Sequence, residues 1–563
     1  MSEQAKWDYE VDFLSVGTGA AGISAAITAA KNGLDTLLIE SRDKWGGTTA
    51  KSGGGLWMPN NPYMAELGIE DSFESAYEYM RQTIGEPGVW ASDDRKRAFL
   101  GGVHHYIQML ENEGVKWVAA EAYPDYYPDL PGGRAGGRSI EVKPFNLRKL
   151  PKAARKTMQP AAMPAPLLNG EVYQLTRAWS SPDGFVRGAR FVFRTLGAII
   201  TGQKKVGMGG ALAASLMWVA LRNGVELWLS SPIKELIVEG GRVTGAVVEK
   251  EGKLVRIGVR RGVMLGAGGF SHNKEWRQKY HGVEGWSSAP DGQNGEGITV
   301  GEQAGGAIAM MDDAWWGATT ADPDSKGNYG FILNERSDPW SIIVDQNGER
   351  YFNESESYVD VGHHILEHDK KTGGKAIHSW LVLDRRHSTH FLNSALMIPG
   401  ARKQLLKNGE LVEARTIDEL AEKMNVDKQA FAATVERFNE FARNGVDKDF
   451  QRGRTAYDNY YGYPSLKNPN LGTIEKGPFK AMKIYPGDLG TKGGLVTDEW
   501  ARVLRPDGSV VEGLYAAGNN TASVMGRTYP GAGSTIGPAG VFGYLGALHA
   551  AQPEERKAVI SQS

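Results

Sequence analysis

The spacing of apolar and polar positions changes repeatedly along the chain, and each change marks a new element. Near the start, Val11-Asp12-Phe13-Leu14-Ser15-Val16 is a short apolar run, which predicts a buried strand. Small residues over 23–31 predict a helix that stops at Gly33, and a second buried strand follows at 36–39, ending in Glu40. Over 71–114 the apolar positions Phe73, Tyr77, Met80, Phe99, Met109 and Leu110 recur at helical spacing. The pattern then breaks at 122–133, where Tyr123, Tyr126 and Tyr127 sit among prolines in an irregular loop.

The segment 185–203 has the clearest amphipathic period. Phe185, Ala189, Val192, Phe193, Leu196, Ile199 and Ile200 fall on one face, and Arg187, Arg190 and Arg194 on the other. Gly188 and Gly197 weaken its intrinsic helicity. A further helix is predicted at 210–224, then strands at 225–229, 236–239 and 244–250, the last two joined by Glu239-Gly240-Gly241-Arg242. A short buried strand enters the glycine turn Gly266-Ala267-Gly268-Gly269, and Asn294-Gly295-Glu296-Gly297 opens another helix. Mixed segments then take over until a strand leads into Ala517-Gly518-Asn519, followed by a Pro538-initiated helix over 539–550.

The first strand runs directly into Gly17-Thr18-Gly19-Ala20-Ala21-Gly22, the glycine spacing of a dinucleotide site in its strand–turn–helix setting. Gly17 allows the tight turn, Gly19 lets backbone approach a pyrophosphate, and Gly22 lets helix and strand pack closely. The helix N-terminus faces the phosphate charge. Glu40 follows at about 20 residues, where a carboxylate can take ribose hydroxyls. A second cradle of glycines and hydroxyls comes next, Asp43-Lys44-Trp45-Gly46-Gly47-Thr48-Thr49-Ala50-Lys51-Ser52-Gly53-Gly54-Gly55. A nicotinamide site has no use for it, whereas FAD needs one for its ribityl chain and flavin, so the cofactor predicted is FAD. The expected cofactor set is Gly17, Gly19, Ala20, Ala21, Gly22, Glu40, Ser41, Gly46, Gly47, Thr48, Thr49, Ser52, Gly53, Gly54, Ala267, Gly268, Glu296, Gly518, Asn519, Ser534 and Ile536. Histidine is scarce near these loops, the first being His104, so the flavin is expected to be noncovalent.

These elements predict an α/β protein, a Rossmann-like FAD-binding domain interrupted by an α+β catalytic domain. The expected bounds are 1–284 and 476–563 for the FAD-binding halves and 285–475 for the insertion.

Composition narrows the chemistry. With 64 basic and 66 acidic residues in 563, nothing global points to nucleic acid. The absence of cysteine removes disulfides, thiolate metal sites and a catalytic thiol, and no metal site is expected. Residues 1–10 lack a signal-peptide core and no run approaches the roughly 18 apolar residues of a spanning helix, which predicts a cytoplasmic protein. One region qualifies that. Residues 143–205 hold twelve lysines and arginines against Glu171 and Asp183, and their amphipathic half, 185–205, predicts either a helix on the membrane surface or one docked on the core.

The chain closely resembles the 3-ketosteroid Δ1-dehydrogenases, flavoproteins of the fumarate reductase-like fold, over nearly its whole length. The resemblance rests on 45–55, on Asp125-Tyr126-Tyr127-Pro128-Asp129-Leu130-Pro131-Gly132-Gly133 and on Phe352-Asn353-Glu354 with Tyr358. It continues through Pro486-Gly487-Asp488-Leu489-Gly490-Thr491-Lys492-Gly493-Gly494 and Tyr529-Pro530-Gly531-Ala532-Gly533. Glu296 stands where the family usually has Asp, Ala532 where proline is common, and 143–205 is longer than usual. The resemblance implies a 3-ketosteroid substrate desaturated between carbons 1 and 2, with the hydride passing to flavin N5 and electrons leaving to an external acceptor such as a quinone. It implies Tyr358 as the base at carbon 2 and Tyr126 as the hydrogen-bonding partner that eases its ionisation. Tyr529 and the Gly533 N–H would be the two donors to the enolate oxygen. Competing readings are 4,5-desaturation of the same steroid class, reduction of a fumarate- or urocanate-like acid, and a flavin sensor or electron carrier.

Overall fold

A computed structural model describes residues 7–552 apart from 324–328, 393–395 and 397–398. Its larger sheet has eight strands and is parallel at its centre, in the order Val510–Ala516, Lys253–Leu265, Tyr9–Val16, Thr36–Ile39 and Glu226–Trp228. Strands buried on both faces need unbroken apolar runs, and Thr36–Ile39 is buried at every position. Helix Ala20–Lys31 covers one face and packs along the last helix, Ile536–Ala551, closely enough that a Cβ at Gly543 would meet the Ala21 carbonyl at 2.4 Å. Strand Lys253–Leu265 is one long element whose start pairs with the hairpin strand Arg242–Lys250, so the short strand expected at 262–265 is its buried end.

The inserted sheet is antiparallel throughout, ordered Tyr329–Phe331, Ala314–Ala321, Phe479–Thr491, Ser379–Leu383 and Ser341–Val344. Both expected boundaries of the insertion therefore move. Strand Phe479–Thr491 lies beyond 475 yet pairs with Ala314–Ala321. Helix Glu296–Gln303 lies after 285 yet packs on the larger sheet, where Gly301 fits against Leu495 and Leu265. Pairing partners distant in sequence decide both cases, and local composition carries no trace of them.

Helix Pro182–Ile200 forms despite its two glycines, with Ser181 capping its first turn and proline at N1. Its orientation departs from that of a docked helix. Phe185, Val192, Phe193, Leu196, Ile199 and Ile200 are all exposed, with Phe193 74% and Ile200 83% accessible. Arg194 turns inward to Glu171 at 2.6 Å. The preceding segment is stitched to the insertion: Tyr173 and Arg177 donate to the Gly462 carbonyl at 2.8 and 2.7 Å, and Ser180 to the His390 carbonyl at 2.7 Å. Among the described residues no helix is long and apolar enough to cross a membrane.

Candidate active site

The two glycine turns and the insertion close around one cavity of about 640 Å³. Gly17 has φ +96°, and a Cβ there would meet the Gly266 carbonyl at 2.5 Å, so only glycine lets the first turn pass beneath the second. Gly22 does not face the cavity. A Cβ on it would lie 1.9 Å from the Gly17 carbonyl, which is the helix–strand packing role its spacing implies. Gly46, at φ +109°, donates its N–H to Thr18 Oγ1 at 2.9 Å and so ties the second cradle to the first. Glu40 accepts from the Thr18 N–H at 3.1 Å and the Arg42 N–H at 3.2 Å, which fixes its carboxylate at the rim.

Gly17, Gly19, Ala20, Ala21, Glu40, Ser41, Gly47, Thr48, Thr49, Ser52, Gly53 and Gly54 line this cavity together with Ala267, Gly268, Glu296, Gly518, Asn519 and Ile536. Ser534 does not. Its hydroxyl donates to the Gly531 carbonyl at 2.7 Å, holding the turn, and it borders a small cleft beside Lys492 instead. The cavity suits a dinucleotide anion. Helices Ala20–Lys31 and Ile536–Ala551 both point N-termini at it, neither N-cap residue supplies a side-chain cap, and in the first the Ala20 N–H is taken by Thr49 Oγ1 at 2.9 Å.

Tyr126, Tyr358, Tyr529 and Gly533 line the opposite wall of the same cavity. Tyr358 is the first residue of helix Tyr358–Thr372 in the insertion, whereas Tyr529 and Gly533 lie on the loop before the last helix. Their meeting is therefore a contact between domains. The Tyr358 and Tyr529 rings are 4.6 Å apart and tilted by 55°. Burial, with the Tyr529 charge and hydrogen bond added, holds Tyr358 well above the ordinary tyrosine value. Burial pushes Tyr529 up to about 12, with the Tyr358 hydrogen bond and the Gly533 backbone pulling against it.

Tyr126 stands beside Tyr358 in this wall. Its ring stands edge-on to Tyr358 at 5.5 Å, and its hydroxyl meets that of Tyr123 at 3.4 Å. The loop through Pro128 turns the Tyr126 hydroxyl towards that of Tyr123. Tyr123 in turn bonds the Tyr461 hydroxyl at 2.5 Å. Asp125 anchors that loop through Trp57 at 2.8 Å and buried Arg138 at 2.8 Å.

Some lining residues gave no sequence signal. Asn169, inside the basic segment, reaches the flavin cradle, where its Oδ1 would lie 2.7 Å from a Cβ on Gly53. Tyr329, Phe331 and Leu333 come from the insertion. Leu489 lay within a motif already quoted but was not singled out.

Comparison with known proteins agrees with this geometry. The family model described as FAD binding domain matches residues 12–536. The 3-oxosteroid 1-dehydrogenase of Mycobacterium tuberculosis is 44% identical, over 96% of this chain and 98% of that protein. The crystal structure of 3-ketosteroid delta1-dehydrogenase from Sterolibacterium denitrificans, in complex with 1,4-androstadiene-3,17-dione, superposes with TM-score 0.89 at 35% identity, covering 97% of this chain and all of that one. A flavocytochrome c3 fumarate reductase shares the fold at TM-score 0.64 and 21% identity, over 97% of this chain and 79% of that one. With its cavity, its cofactor turns and its full-length relatives in accord, the chain belongs to the 3-oxosteroid 1-dehydrogenase family of FAD enzymes.

Proposed function

We propose that this enzyme introduces the carbon 1–carbon 2 double bond of a 3-ketosteroid, using noncovalent FAD. One juxtaposition carries the reading: Tyr358, Tyr529 and Gly533 line the same cavity as the glycine cradle. FAD, when bound, supplies the hydride acceptor for the hydrogen at carbon 1. As carbon 2 loses its proton to Tyr358, charge gathers on the ketone oxygen. The Tyr529 hydroxyl and Gly533 N–H answer it as donors. The substrate thus loses one hydride and one proton, and the ring gains one double bond. Buried rings keep water from the reacting carbons, and turnover needs an external electron acceptor such as a quinone. Anaerobic addition of a 3-ketosteroid should bleach the flavin and yield the 1,2-dehydro product. A 4,5-dehydro product, or no bleaching by any 3-ketosteroid, overturns the reading. Acid precipitation should leave the yellow colour in the supernatant.

We further infer that the enzyme sits on the inner face of the cytoplasmic membrane, where its apolar substrate concentrates. The exposed apolar face of helix Pro182–Ile200 supports this, with Lys204 and Lys205 just past its C-terminal end. Each cation near an anionic surface contributes about 1 kcal/mol. Substrates with long apolar side chains fit such a supply route. Wild-type protein should float with anionic liposomes at low salt, and protein that stays at the bottom of the gradient removes the membrane role.

A further inference from the structure

The reacting hydroxyls stand on different domains, so something must hold their separation. Lys492, wholly buried, lies behind Tyr529. Its ammonium donates to the Thr528 carbonyl at 3.1 Å, the peptide immediately before Tyr529. It sits 4.7 Å from the ring centre of Trp315, which meets the Tyr529 ring edge-on at 5.3 Å and donates to Asn519 at 2.9 Å. On its other side the ammonium pairs with Asp313 at 3.4 Å. Asp313 accepts from His363 at 2.8 Å and from Trp316 at 2.9 Å. His363 lies on helix Tyr358–Thr372, whose first residue is Tyr358.

A continuous polar path therefore joins the helix that starts with Tyr358 to the backbone that carries Tyr529. We propose that His363, Asp313 and Lys492 form a charged strut between the two domains, with Lys492 the positioning residue for the Tyr529 hydroxyl. Stability alone gives little reason for such a group, because a buried ion pair replaced by apolar residues is often neutral or stabilising. Although burial works against it, the carboxyl of Asp313 is held down to about 2 by Lys492 and then His363, so the strut's centre stays charged. The inference rests on Tyr529 being an oxyanion donor, and the test separates the two ideas.

The test is a double-mutant cycle read by anaerobic stopped-flow reduction of bound FAD with a saturating 3-ketosteroid. Lys492→Met should slow flavin reduction about 10²-fold, the scale of one misplaced oxyanion donor, with FAD retained and steroid affinity changed less than about threefold. In a Tyr529→Phe background the same change should slow reduction less than about threefold. Equal slowing in both backgrounds overturns the strut, as does unchanged reduction or a loss confined to steroid affinity. Tyr529→Phe alone reducing flavin at the wild-type rate overturns the oxyanion reading, and the strut falls with it. Should Lys492→Met not fold, His363→Gln, at the partly exposed end, enters the same cycle. It should slow reduction about tenfold in the wild-type background alone, and an unchanged rate overturns the proposal.

Discussion

The tyrosine cluster and helix Pro182–Ile200 break the same rule in opposite directions. In the cluster, polar hydroxyls go inside: Tyr123, Tyr126, Tyr358, Tyr461 and Tyr529 are all buried. On the helix, large apolar side chains stay outside. The cluster meets the cost of burial internally, through hydroxyl pairs such as Tyr123–Tyr461 and ring contacts such as Tyr126–Tyr529 at 5.2 Å. The helix has no such internal remedy, because the residues behind it engage its polar side chains instead, Glu171 pairing with Arg194 and Arg177 with Asp183. A self-satisfied polar interior points to chemistry performed there, whereas an apolar exterior points to a medium outside the protein.

That contrast breaks first at Tyr358. Tyr358→Phe should lower kcat about 10³–10⁴-fold while FAD and steroid still bind, the upper range for a lost general base. Near-normal turnover of this variant would move the base elsewhere. Tyr529→Phe should cost about 10²–10³-fold. The raised value of Tyr358 gives a pH dependence: only the phenolate accepts a proton, and its fraction grows tenfold per unit below its titration point. The kcat/KM should therefore rise with pH through about pH 10, and a plateau near neutrality would argue against phenolate chemistry.

On the helix side, Phe193→Asp with Leu196→Asp should abolish liposome flotation, while kcat on a water-soluble steroid stays unchanged. Because both positions face outward, thermal stability should shift by no more than about 0.5 kcal/mol. Loss of folding would mean that these side chains pack on the protein after all.

A smaller effect tests the interior generally. Burial holds His281 and His387 neutral, each lowered from 6.5 to about 4. The unfolded chain binds those protons first, so stability is full above pH 6.5 and falls as pH drops from there towards 4. Denaturant titrations at pH 7 and 5 should show this loss, reduced in His281→Gln.

Legibility in the sequence followed locality. The first glycine turn, its helix and Glu40 could be read because each constraint acts within one short stretch, as the strained φ of Gly17 shows. The amphipathic face of 185–200 was equally plain, but which way it pointed depended on what lay behind it. The insertion's bounds escaped because strand Phe479–Thr491 finds its partners far back in the chain. Asn169 escaped for the same reason, since nothing near it in sequence foretells its place beside Gly53. The direction of the Tyr126 hydroxyl was hidden too. Ring positions follow from motifs, but hydroxyl partners follow from the packing of Tyr123 and Tyr461.

The pairing of the first helix with the last has a consequence for biosynthesis. Strand Tyr9–Val16 is made long before its neighbour Lys253–Leu265, and its helix packs against Ile536–Ala551. Until residue 551 has emerged, the dinucleotide turn lacks one wall and half its helix N-termini. Closure of the cofactor site therefore waits for the helix Ile536–Ala551, although strands Tyr9–Val16, Thr36–Ile39, Glu226–Trp228 and Lys253–Leu265 can pair with one another as soon as residue 265 has been made.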